Sequence, residues 1–171
     1  AVTCDDFVAA MADASGRDLE QFTRWYSQAG TPVVTMGQSW TENGELTLTL
    51  KQHTPETPGH TEKQPFHMPV LVGFMDPEGK DMVDALDTEY EKRGKSLLLE
   101  LTENEQSFKF SGLPCNPTVS LLRSFSAPVK VEYERDLHNT TVQMASDSDL
   151  FNRWDASFSL SQSIITDLVD R

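Results

Sequence analysis

Apolar residues along this chain change period twice, from helical to alternating and back to helical, and each change marks a boundary of structure. Phe7, Val8, Met11 and Ala14 recur at helical spacing behind Thr3, a residue able to cap a helix, with Asp6 three positions on as a weaker form of the reciprocal capping pair. The spacing predicts a helix over 3–15, broken at Ser15-Gly16. Asp18 opens a second predicted helix, which sets Leu19, Phe22, Trp25 and Tyr26 on one face and ends at Gly30 and Pro32. These segments make a helical hairpin too short to hold a core alone.

From Val33 the period is two. Val34, Met36 and Gln38 alternate with Val33, Thr35 and Gly37 as far as Trp40, and Leu46, Leu48 and Leu50 alternate with threonines. Asn43-Gly44 between the two runs predicts a hairpin with a tight turn. Three prolines and a glycine between Thr54 and Pro65 predict an irregular crossing loop, and Phe66 to Met75 reads as a buried strand ending at the turn Asp76-Pro77-Glu78-Gly79. Over the acidic stretch 80–95 a short strand near Met82 and a loop through Glu91 are expected. Ser96 to Leu101, Ser107 to Phe110, and the alternating Val129, Val131 and Tyr133 complete six or seven short strands, the pattern of an antiparallel sandwich.

After Asp136 the helical period returns. Leu150, Trp154, Phe158 and Leu160 lead into Ile164, Ile165, Leu168 and Val169, a stripe that runs to the end of the sequence with no capping residue. This stripe and the N-terminal hairpin both present apolar faces without an evident partner, so both are expected to dock neighbours in a longer protein. No start methionine and no leader precede the first helix, which fits the same expectation. No apolar run approaches the ~18 residues of a membrane span.

A chain of 171 residues with 37% hydrophobic content suffices for one good core with helical appendages. Its 27 acidic residues against 14 Lys and Arg, a net charge of -13, repel phosphate backbones and anionic membranes, so neither nucleic acid nor membrane is an expected partner. Two cysteines far apart, Cys4 and Cys115, are the usage of a reducing, cytoplasmic compartment. Against that background the sequon Asn139-Thr140-Thr141 reads as a chance match.

Candidate chemistry is sparse. A zinc peptidase needs two imidazoles one helical turn apart with a carboxylate beside them, and the H-E-x-x-H pattern is absent. His53, His60 and His67 recur every seven residues but straddle a proline-rich loop, and His138 stands apart, so they read as solvent or rim residues. Asp81, Asp84, Asp87, Glu89 and Glu91 lack the alternating ligands and central glycine of a calcium loop and read as a solvated acidic segment. Ser15-Gly16 and Ser111-Gly112 are turns and not nucleophile elbows. Trp25, Trp40 and Trp154 fall in three different elements, which favours packing over a stacking platform for sugars or single strands. No catalytic, cofactor-binding or metal-ligating residue is assigned.

Several runs nonetheless resemble one family. Thr3-Cys4-Asp5-Asp6-Phe7-Val8, then Arg24-Trp25-Tyr26-Ser27-Gln28 and Gly30-Thr31-Pro32, resemble the end of the catalytic domain in the bacterial aminopeptidase N family of zinc metallopeptidases. Thr57-Pro58-Gly59, Glu62-Lys63-Gln64-Pro65, Leu99-Glu100-Leu101-Thr102, Leu121-Leu122-Arg123 and Phe125-Ser126-Ala127-Pro128-Val129-Lys130 resemble the β domain that follows it. Asp147-Ser148-Asp149 and Phe151-Asn152-Arg153-Trp154-Asp155-Ala156 extend the likeness into the first helix of the C-terminal helical domain. Residues 80–95 and 136–146 have no such match.

The resemblance implies an immunoglobulin-like β-sandwich over 32–135, preceded over 1–31 by closing helices of a catalytic domain and followed over 136–171 by the start of a helical domain. It also implies a cytoplasmic parent that uses zinc to release N-terminal amino acids from peptides, with metal ligands, general base and amine-binding residues all upstream. The segment itself is then a non-catalytic connector, whose partners are the catalytic and helical domains of the same chain. Two other readings remain: a stand-alone sandwich that binds peptide or carbohydrate, and a metal-binding protein built on the evenly spaced histidines.

Overall fold

The computed structural model describes residues 2–86 and 88–169. Helix α1, Cys4–Ser15, is capped as the sequence predicts: the Asp6 amide donates to Thr3 Oγ1 at 3.2 Å and the Thr3 amide donates to Asp6 Oδ2 at 2.9 Å. Those bonds to Thr3, the backbone one foremost, hold the Asp6 carboxyl below its ordinary range. The second predicted helix is shorter than expected. A 3-10 turn, Gln21–Thr23, leads into a single helical turn α2, Arg24–Ser27. Ahead of it Asp18 Oδ1 accepts from the Glu20 amide at 2.8 Å, the bond by which such a residue caps a helical turn.

Among the described residues eight strands form two four-stranded sheets. One runs β6 (Glu105–Phe110), β2 (Leu46–His53), β1 (Val33–Trp40), β8 (Lys130–Glu132); the other runs β4 (Glu91–Arg93), β5 (Ser96–Leu101), β3 (Met68–Met75), β7 (Thr118–Ser120). Every pairing is antiparallel except β1 with β8. Register explains why the leucines of β2 are inside: Leu48 stands opposite Gln38 and Phe108, and Leu46 opposite Trp40 and Phe110. In the facing sheet Met68, Val70 and Val72 pair with Leu101, Leu99 and Leu97. These two inner faces, with Phe66 and Phe74, are the core, and each such side chain contributes about 1.5–3 kcal/mol by leaving water.

The β1–β2 connection is a three-residue loop, Glu42-Asn43-Gly44, closed by the Thr41 amide on the Glu45 carbonyl at 2.9 Å. It is longer than the tight turn the Asn-Gly pair suggests. Gly44 supplies the left-handed residue, φ +79°, and lies so close to Leu113 that a Cβ would meet its carbonyl at 2.8 Å.

Two expectations for 80–95 are reversed. The segment beside Met82 is a 3-10 turn, Val83–Ala85, and the strand falls at Glu91–Arg93. Val83 and Leu86, three apart, both drop into the core, the spacing a 3-10 turn aligns on one side. Strand β7 carries no predicted counterpart, being three residues long. The last strand, expected through Tyr133, is only Lys130–Glu132 and is exposed. The C-terminal segment is two helices: α3, Leu137–Ser146, capped by Asp136 onto the Asn139 amide at 2.7 Å, and α4, Leu150–Val169.

Candidate functional site

The residues weighed for chemistry are dispersed. His53 lies at the exposed end of β2, His60 in the crossing loop, His138 on α3, and His67, just before β3, sits 3.7 Å from Glu100. Among the described residues no three His, Cys, Asp or Glu side chains converge as metal ligands. Of the acidic stretch, Asp81 pairs with Arg123 and Lys95, Glu91 pairs with Arg93, and Asp87 lies outside the described residues. Asn139 of the sequon is held by Thr118 Oγ1 at 2.7 Å and by Asp136. Cys4 is exposed and Cys115 partly buried, both as free thiols; burial first, then Asp76 and Glu78, pushes the Cys115 thiol up.

The tryptophans divide by role. Trp25 stacks on Phe66 with centroids 4.2 Å apart, and its Nε1 donates to the His67 carbonyl at 2.9 Å, fastening the N-terminal segment to the sandwich. Gln21 Nε2 reinforces that attachment by donating to the carbonyls of Pro65 and Thr102. Trp40 packs at the edge of the core. Trp154 is 57% exposed on α4.

What the fold leaves uncovered is apolar. Beyond Val8, α1 turns Phe7 and Met11 to solvent, and Tyr26 of α2 is also exposed. On α4 the buried positions are Asn152 and Ala156, while Phe151, Trp154, Phe158, Ile165 and Leu168 are exposed, from 42% at Phe151 to 64% at Leu168. Their spacing alternates three and four residues, with Ser161 filling the one gap, so they form a heptad-type seam along the helix. Trp154 stacks on Phe158 at 5.6 Å and neighbours Phe151 at 5.5 Å; Phe151 in turn meets Phe125 at 4.3 Å. The seam therefore begins as a continuous aromatic row that reaches the sandwich.

Beside that row lies a cavity of about 280 Å³, walled by Leu122, Phe125, Val129, Val131 and Phe151. At its polar end Arg135 donates to Gln143 at 3.3 Å, pairs with Asp155 at 2.5 Å, and lies over the Tyr133 ring at 4.9 Å. Burial outweighs the Arg135 charge and pushes the Tyr133 phenol up. These polar groups bond to one another at one end of the cavity, so its wall is apolar on one side and polar on the other.

A feature the sequence did not disclose follows Leu122 of the cavity wall in the chain. Arg123, 2% exposed, extends into the sandwich between two carboxylates, Asp81 and Asp147, at 2.9 and 3.1 Å. One signal for it existed: Gly73 interrupts an otherwise apolar strand, and a Cβ there would meet Arg123 Cζ at 2.0 Å.

Comparison with known proteins agrees with this architecture. The family model described as a domain of unknown function (DUF3458) with an Ig-like fold matches residues 30–134. Aminopeptidase N of Escherichia coli (strain K12) is 44% identical over 163 residues, covering 94% of this chain and 18% of that protein. Aminopeptidase N of Caulobacter vibrioides is 38% identical over 166 residues, 96% of this chain and again 18% of the relative. A crystal structure of Legionella pneumophila aminopeptidase A in complex with aspartic acid superposes with a TM-score of 0.80 at 29% identity, covering 99% of this chain and 18% of that one. The chain thus spans under a fifth of the length of the relatives it matches. No helix among the described residues is long and apolar enough to cross a membrane.

Proposed function

The chain belongs to the family of Ig-like domains described as DUF3458, and from that membership we propose that it is a non-catalytic connector within a cytoplasmic, zinc-dependent aminopeptidase that releases N-terminal residues from peptides. Residues 1–31 close the catalytic domain, 32–135 form the sandwich, and 136–171 begin a helical domain. The observation that carries this reading is the pair of uncovered apolar faces, one on α1 and α2 and one along α4. A heptad-type seam of aromatic and aliphatic side chains is the surface a second helix packs against, and its exposure in water is unfavourable without one. Similarity to aminopeptidases about five times longer supplies the polypeptide from which such partners come. The zinc of the parent is held by residues elsewhere in it; the His, Cys, Asp and Glu side chains described here do not converge into a ligand set.

Hydrolysis of an aminoacyl chromogenic substrate by the purified chain, with and without added zinc, tests the non-catalytic assignment. No turnover is expected, and turnover above the protein-free rate would overturn it. The cavity beside α4 favours a second reading, a binding module for peptide or carbohydrate. Titration with peptides and glycans, followed by tryptophan fluorescence, separates the two, because Trp154 lies next to the cavity wall at Phe151. Saturable quenching supports the module and flat traces support the connector.

A further inference from the structure

Between β7 and β8 the backbone adopts a conformation that side chains resist. Leu122, Ser124 and Phe125 have φ of 54°, 60° and 50°, three left-handed non-glycine residues within four positions. Each is disfavoured for a residue with a Cβ and persists only where the surroundings over-determine it. Here the surroundings come from both sides. From the sandwich, Arg123 Nε donates to Ser120 Oγ at 2.9 Å, and its Nη1 donates to Asp81 Oδ1 at 2.9 Å and to the Lys95 carbonyl at 2.6 Å. The Leu71 amide donates to Ser126 Oγ at 3.0 Å.

From the helices, Arg123 Nη2 pairs with Asp147 in the α3–α4 corner at 3.1 Å. Asp149 in that corner accepts from the Ser124 amide at 2.7 Å while capping α4 through the Asn152 amide. Asn152 returns its Nδ2 to Ser120 Oγ at 2.9 Å and to the Leu121 carbonyl at 3.0 Å. One strained turn is thus gripped by the sheet through Arg123 and by the helical corner through Arg123, Asp149 and Asn152.

We propose that Arg123 is the positioning residue of a rigid joint: by bridging Asp81 of the sandwich and Asp147 of the α3–α4 corner, it fixes the direction in which α4 presents its seam. Two buried carboxylates compete for one planar guanidinium, and only one placement of the helical pair lets both reach it. Gly73 removes the side chain that would obstruct that placement. A buried ionic cluster of this kind contributes orientation more than net stability, since well-packed apolar replacements stabilise as well or better. The use of the joint rests on the connector reading; its rigidity does not.

The test is the distance between spin labels at Lys109→Cys on β6 and Gln162→Cys on α4, both exposed, in a Cys4→Ser, Cys115→Ser background. The parent should give one narrow distribution. Asp147→Asn keeps the size and a hydrogen-bond acceptor but removes the helical half of the bridge, and should widen the distribution about twofold with the sheet signal intact. Arg123→Lys should widen it less. A triple apolar variant, Asp81→Leu, Arg123→Met and Asp147→Leu, should fold with restored stability yet stay broad. A narrow distribution in Asp147→Asn or in the folded triple variant would overturn the proposal, because a merely structural cluster predicts altered melting with unchanged orientation. Loss of the connector role would leave these distances as they are, so the two failures are distinguishable.

Discussion

Gly73→Ala is the smallest change that should reach the centre of this fold. Gly73 lies in β3 opposite Ser120, with ordinary strand dihedrals, so alanine meets no backbone strain there. The added Cβ, however, would stand 2.0 Å from Arg123 Cζ, 2.2 Å from Nη1 and 2.5 Å from Nε. Relief requires the guanidinium to retreat by more than about 1 Å, which lengthens its bonds past the ~3.2 Å limit of a good hydrogen bond. Asp147, whose side chain is fully buried, then loses its cation, and Asp81 keeps only Lys95 at 3.5 Å. Breaking a buried pair costs about 3–5 kcal/mol, and the stiffer unfolded chain of the alanine variant returns about 0.4–1 kcal/mol. A net loss of about 2–4.6 kcal/mol, at a urea slope of about 2 kcal/mol per molar, lowers the unfolding midpoint by roughly 1–2.3 M. Gly37→Ala in β1 is the control, since its Cβ would find only the Thr49 carbonyl at 3.9 Å. If Gly73→Ala unfolds within 1 kcal/mol of the parent (about the scatter between ordinary substitutions), the cradle argument is wrong.

Three further outcomes follow from burial and charge. With Ellman's reagent the exposed Cys4 should react first and Cys115 about tenfold more slowly, because burial disfavours its thiolate; equal rates would contradict the placement. The Tyr133 phenol is raised in the folded state, so its contribution is full below the unfolded tyrosine value of about 10 and is lost as pH rises above it. The parent's urea midpoint should accordingly fall more steeply between pH 9 and about 11 than that of Tyr133→Phe. Finally, Ile165→Asp with Leu168→Asp should reduce the fluorescence of bound anilinonaphthalene sulfonate while shifting stability by under about 0.5 kcal/mol, since both side chains face solvent; a large destabilisation would mean the seam is already covered.

The uncovered faces and the buried joint are complementary parts of one physical problem. The connector proposed above would need adhesive surfaces and a stiff path between them. The aromatic row from Phe125 through Phe158 supplies the first at the sandwich border. The Arg123 bridge, two residues before Phe125 in the chain, supplies the second. Apolar contact alone is non-directional, and an ion pair shared by two elements is not.

The sequence by itself determined what local physics controls. Capping chemistry placed α1 between Thr3 and Ser15, alternation placed β1 and β2, and the apolar stripe of α4 was legible in its spacing because helix geometry converts spacing into faces. It did not determine the elements that exist through contact: the 3-10 turn at Val83–Ala85, strands β4 and β7 of three residues each, and the early ends of β8 and of the second helix. Such segments are too brief to carry a period, and their conformation is set by where neighbouring chain accepts their side chains or hydrogen bonds. Nor could it reveal Arg123, which in sequence is one cation between apolar residues and serines. Only the tertiary structure brings Asp81, 42 residues before it, and Asp147, 24 after, to the same guanidinium. Long-range pairing of charges leaves no periodic trace, whereas burial of one face of a helix or strand must.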